Sequence, residues 1–193
     1  TIGAAVRDVV ARQVAAGVDV VSDGEMSKIS YATYIKDRLT GFDGDSARDP
    51  PADLEDFPGY LKKLATAGGT PSYRRPRCVG PIAVKDLRPL DDDIGWFRAA
   101  LDAAGPAVVE PFMNSASPGV IALFQPNDHY PSHERYLEAL GEAMRHEYEA
   151  IVGAGLVLQI DAPDLGLGGH TLFKRRPREE YVQLASLHVE VLN

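Results

Sequence analysis

Between Ile2 and Ala16, apolar Val6, Val9, Val10 and Val14 recur at helical spacing, so the chain is predicted to open in a helix. Gly17 stops it, and Val18-Asp19-Val20-Val21 follows as a short β-branched strand. Ser30 to Leu39 reads as a helix ending at Gly41, and residues 43–52 as a turn-rich loop. Leu54 to Ala65 reads as a helix broken by Gly68-Gly69-Thr70-Pro71. Val79 to Val84 is strand-like despite Pro81, and Asp91 to Ala103 carries Ile94, Phe97, Ala100 and Leu101 at helical spacing. Ala107-Val108-Val109 has the pattern of a buried strand. The strongest helix runs from a Ser132 cap to Ala154, with Leu137, Leu140, Met144, Tyr148 and Ile151 on one face. Gly155 ends it, and Leu156 to Ile160 is the clearest strand. Pro177 opens a last helix through Tyr181, Leu184, Leu187, Val189 and Leu192.

Strands alternating with helices predict a parallel α/β fold. No Gly-x-Gly-x-x-Gly follows a strand, which removes the main support for a dinucleotide-binding fold. Two strands end in carboxylates, at Asp23-Gly24-Glu25 and at Asp161, where a (β/α)8 TIM-barrel enzyme places its ligand groups. About four strands are read, against the eight of a closed barrel, so the fold expected is a partial barrel. The first residue is Thr1 and the last helix lacks a Gly or Pro terminator, so residues 1–193 are read as a fragment of one catalytic barrel domain.

Composition narrows the classes. Twenty Lys and Arg against 28 Asp and Glu give a net charge of −8, which repels phosphate backbones and anionic lipid and argues against nucleic-acid and membrane partners. The one cysteine can form neither an internal disulfide nor a Cys-rich zinc site. No apolar run reaches membrane-span length and no signal-peptide pattern opens the chain, so a soluble, cytoplasmic setting is expected.

Asp23 and Glu25 flank a glycine that permits a tight turn. They either recognise a cation, such as a substrate ammonium or a metal, or cap the next helix. Asp161 follows an apolar run, where an ionised carboxylate is costly unless a cation or donors meet it, which favours a functional role. Asp164 reads as structural. Arg77 could face an anionic ligand and Cys78 could line a pocket, or Cys78 is an inert buried thiol. Arg74-Arg75-Pro76-Arg77 reads as a solvated basic turn. The five histidines form no His-x-Cys pair with the one cysteine, so no metal site is read within this chain. His170, after Gly166-Leu167-Gly168-Gly169, is the one histidine near a suspected active-site loop.

Val18 to Phe42, with its Gly24-Glu25 pair, resembles the corresponding segment of cobalamin-independent methionine synthases, above all the short, single-barrel members. Arg77-Cys78-Val79 followed by Pro81 is similar to that family's Arg-Cys-Val-x-Pro stretch. Gln159-Ile160-Asp161-x-Pro163 is similar to its Gln-Ile-Asp-Glu-Pro motif, in the same order along the chain. The resemblance implies zinc-dependent methyl transfer from 5-methyltetrahydropteroyl-polyglutamate to homocysteine, giving methionine. Glu25 and Asp161, with Asp23 beside them, would hold the amino acid by its ammonium. Arg77 and Cys78 would touch the methyl-folate, and Phe124 would face the pterin. The family's zinc ligands are expected after Asn193, so the zinc cofactor has none here. Asp23 stands where the long enzymes often have His, and Ala162 where they have Glu. These departures leave open a zinc-dependent thiol alkyltransferase with another electrophile, resembling epoxyalkane:coenzyme M transferase, or a non-catalytic binding module.

Overall fold

The computed structural model describes residues 1–46, 50–66 and 75–193. Helix α1 (Ile2–Ala15) is capped by Thr1, whose hydroxyl accepts from the Ala4 amide, and it leads into strand β1 (Val20–Ser22). Helix α2 (Ile35–Arg38) precedes a small antiparallel pair, β2 (Phe42–Asp43) with β3 (Arg77–Cys78), and helices α3 (Ala52–Glu55) and α4 (Pro58–Thr66) lie between those two strands in sequence. Helix α5 (Arg88–Ala104) then delivers the chain to β4 (Glu110–Ala116). Helices α6 (Pro118–Phe124) and α7 (His133–Gly153) cross to β5 (Val157–Asp161), and α8 (Asp164–Leu167) and α9 (Arg178–Glu190) complete the chain.

Strands β1, β4 and β5 form a parallel sheet in that order. Parallel strands taken in chain order, with the β4–β5 connection supplied by helices, are the arrangement of a (β/α) barrel wall. The described residues form three such parallel strands and close no barrel. On the helix-facing side, Val21 and Met113 pack with Val6 and Val10 of α1, Phe97 and Ala100 of α5 and Ile151 of α7. A second core gathers Ile35, Leu39 and Cys78 with Val120 and Ile121 of α6 and Tyr136, Leu137, Leu140 and Met144 of α7.

Several expectations are corrected. Residues 79–84 are not a strand, because Gly80 and Pro81 interrupt the ladder; pairing is confined to Arg77–Cys78 and an isolated bridge from Val84 to Leu39. The segment Ala107-Val108-Val109 is no buried strand either. Pro106 holds a 3-10 turn there, Val109 is 74% exposed, and β4 begins one residue later. The helix expected over 54–65 is two, since Pro58 has no N–H to continue the first and opens the second. The helix expected from Ser30 is ordered as helix only over α2. Gly68-Gly69-Thr70-Pro71 and Arg74 lie outside the described residues. Helix α7 forms as predicted, with the Ser132 hydroxyl accepting from the Arg135 amide at 3.2 Å. Helix α6, apolar on every side, has no periodicity to reveal it and is buried throughout from Pro118 to Leu123.

Candidate functional site

The face of the sheet turned away from the helices changes character along the strands. Register sets Val20 beside Glu110, Phe112 beside Val157 and Asn114 beside Gln159, with Asp161 two residues further along β5. Val20 and Val157 are 43% and 44% exposed, so this apolar end of the face is not covered by described residues. Ser22, Asn114 and Gln159 form a polar middle, and acids stand at the carboxyl ends of the strands. Parallel α/β sheets bind ligands at that end.

At the end of β1, Asp23 is buried and its Oδ1 accepts from the Glu25 amide at 3.1 Å, while Ser22 Oγ accepts from the Gly24 amide. Gly24 has φ +67°, and a Cβ at this position would lie 3.0 Å from Val9 Cγ1, so the turn favours glycine. Glu25 itself sits at φ 53°, a left-handed conformation that costs a side-chain-bearing residue about 1 kcal/mol or more. Lys28 holds the result in place: its Nζ donates to Glu25 Oε1 at 3.1 Å and to the Asn114 carbonyl at 2.7 Å, and lies 4.8 Å from the Tyr34 ring centroid. Asp161 is met differently. Asn114 Nδ2 donates to its two oxygens at 3.2 and 3.1 Å, and Gln159 Nε2 donates to Oδ1 at 3.1 Å. Among the described residues Asp161 makes no ion pair. The structure thus brings together Asp23, Glu25 and Asp161, and adds Lys28 and Asn114, which carry no motif of their own.

Beneath this site lies a buried charged network. Arg38 donates to Glu147 at 2.7 Å and to Asp93 at 2.5 Å, all three side chains being about 5% exposed or less. Glu147 Oε1 also accepts from Tyr34 at 2.6 Å and from Ser115 at 2.7 Å. Burial pushes the Asp93 carboxyl up, with Arg38 opposing it, and burial and Glu147 push the Tyr34 hydroxyl well up. A second buried cluster secures α8: Asp164 accepts from Ser117 at 2.9 Å and meets His188 Nδ1 at 2.7 Å, while His188 and His133 share an Nε2–Nε2 contact of 2.8 Å. A Cβ on Gly119 would overlap Asp164 and His188, so this packing requires glycine at 119. Asp164, the first residue of α8, is thus engaged on both sides by buried partners.

Arg77, Cys78 and Phe124 come together around the loop after α6. Arg77 pairs with Asp128 through both guanidinium and carboxylate edges. The Cys78 amide donates to Pro126 O at 2.8 Å, and its carbonyl accepts from the Asp128 amide at 2.9 Å. The Cys78 thiol is fully buried and burial pushes it up to about 11. Phe124 is half-buried and meets Tyr31 edge-on at 5.4 Å, with the Arg75 guanidinium 5.3 Å from its ring centroid. Beside it a cavity of about 290 Å³ is lined in part by Arg75, Leu123, Lys174, Arg175 and Arg176, a basic lining in an acidic protein. His170 is exposed on the turn after α8 and, among the described residues, hydrogen-bonds to none of the acids.

The described residues do not suit a zinc ion. They contain no group of three or more His, Cys, Asp or Glu side chains that could hold a metal. The Cys78 thiol is covered and resists the ionisation a ligand needs, and His188 is engaged by Asp164 and His133. No helix among them is long and apolar enough to cross a membrane.

No family model matches the chain, and no curated protein matches it. Among solved structures, a B12-independent methionine synthase from Shewanella sp., determined in complex with selenomethionine, is similar with a TM-score of 0.63 at 22% identity. The match covers 85% of this chain and 42% of that one, so this chain spans under half of its length. A likeness at that identity bears on the fold alone, and it agrees with the parallel α/β arrangement described above.

Proposed function

We propose that this chain is part of a single catalytic barrel domain that transfers a methyl group from 5-methyltetrahydropteroyl-polyglutamate to homocysteine, and that its share of the work is to hold the two substrates. The observation that carries this reading is Asp161: a carboxylate at the ligand end of a parallel sheet, held by two amides and with no ion pair among the described residues, at the same end of the sheet as Glu25. Such an acid is complementary to a substrate ammonium. Asp23 fixes the turn that presents Glu25. In the reaction the S–CH3 bond forms as the N5–CH3 bond breaks, the thiol proton leaves, and the folate nitrogen takes up a proton.

The residues near Phe124 suit the other substrate. An aromatic ring faced by a guanidinium offers a platform for a flat heterocycle and the basic cavity suits an anionic tail, with Arg77, paired to Asp128, bordering the ring rather than offering a free charge. Cys78 supports this wall from behind as a packed, un-ionised side chain. The zinc that the family resemblance implies finds no ligands among the described residues.

The test is homocysteine binding and methionine formation by the intact protein, supplied with zinc and methyl-folate. Asp161→Asn is expected to weaken homocysteine about 30-fold or more, the scale of a truncated buried ammonium–carboxylate contact. Homocysteine affinity unchanged by that substitution would remove the reading. Binding without methyl transfer would redirect it to another electrophile.

A further inference from the structure

The two acids of the site are joined by one residue that belongs to neither strand end. Asn114 lies on β4, the central strand, in register with Gln159 of β5. Its side-chain amide reaches both Asp161 oxygens, at 3.2 and 3.1 Å. Strand β1 has already ended, its last pair being Ser22 with Phe112, so the Asn114 carbonyl lies beyond the β1–β4 ladder. It accepts instead from Lys28 Nζ at 2.7 Å, and that same ammonium holds Glu25 at 3.1 Å. Lys28 is 5% exposed in its side chain, which leaves the ammonium little freedom to move away.

We propose that Asn114 is the positioning residue of the amino-acid site, aiming Asp161 through its amide and Glu25 through the lysine bound to its carbonyl. The inference rests on the reading that Asp161 takes the substrate ammonium. Its chemical basis is the lone-pair inventory of a carboxylate. Two oxygens accept about four hydrogen bonds; Asn114 and Gln159 occupy the side facing the polar middle of the sheet and leave the rest for a ligand. Glu25 already has a cation, so discrimination for an ammonium runs mainly through Asp161 and therefore through Asn114.

The test uses two ligands that differ only in the ammonium: homocysteine and 4-mercaptobutanoate, titrated calorimetrically into the intact protein. Substituting Asn114→Ala removes the amide and keeps the backbone carbonyl that binds Lys28. Homocysteine should bind about ten-fold more weakly, the value of one lost charge-assisted bond, with 4-mercaptobutanoate unchanged. Asn114→Ser, which restores a short donor, should recover part of the loss and guards against a misfolded alanine variant. An equal loss for both ligands, or no loss, overturns the positioning role even where Asp161→Asn still abolishes the preference for homocysteine. A wild-type protein with no preference for homocysteine, or a preference that survives Asp161→Asn, overturns the underlying reading instead.

Discussion

Asp161 and Glu25 are carboxylates at the same end of one sheet, yet their surroundings give them different work. Glu25 is strained at φ 53° and held by Lys28, whereas among the described residues Asp161 is held by neutral donors. A third titratable side chain in the region is silenced by packing. Cys78 has no exposed surface, and with its thiol near 11 only about one molecule in a thousand carries a thiolate at pH 8. Native protein treated with iodoacetamide at that pH should therefore remain unalkylated by mass spectrometry until denaturant is added. Rapid labelling of the native protein would contradict the burial described. Asp161 was legible in the sequence because a charge closing an apolar run needs a partner. Asn114 and Lys28 were not, because their roles depend on strand register and on where β1 stops, and neither has a spacing signature.

At the level of elements, the buried Arg38–Glu147–Asp93 group fastens α2 to α7 and α5. Removing one member leaves an uncompensated charge in the interior, which costs more than the pair contributed. Substituting Glu147→Ala also strips the partner from Tyr34 and Ser115 and should lower unfolding free energy by about 3–5 kcal/mol in a urea titration. A loss under 1 kcal/mol would mean the network is solvated. Long elements with clear periodicity, α1, α5, α7 and α9, could be read from sequence together with β5. The strand β4 could not: Glu110-Pro111-Phe112-Met113-Asn114 mixes proline and an amide into what becomes the central strand, because its outer face lines a polar site. Helix α6 escaped for the opposite reason, being buried on every side.

For the molecule as a whole, acid sensitivity concentrates where α7, α8 and α9 meet. His133 is held down to about 4 by burial and by the neighbouring His188, against an unfolded value near 6.5. Between those values the unfolded chain binds the proton and the folded one refuses it, so stability is complete above pH 6.5 and falls as pH drops through 4. Melting temperature should decline over that window, and His133→Gln should flatten the decline. An identical pH slope in the variant would assign the sensitivity to other groups. The sheet described above carries a wider consequence. Alternate residues of the same strands face opposite ways, so Val21 and Met113 pack against the helices while Ser22, Asn114, Gln159 and Asp161 lie on the other face, where the proposed ligand would sit. A library randomised at the second set would retain folded members in large number while exploring new acceptors, whereas one randomised at the first would be emptied by misfolding. Evolution on this scaffold can rewrite what is bound without renegotiating how the chain folds.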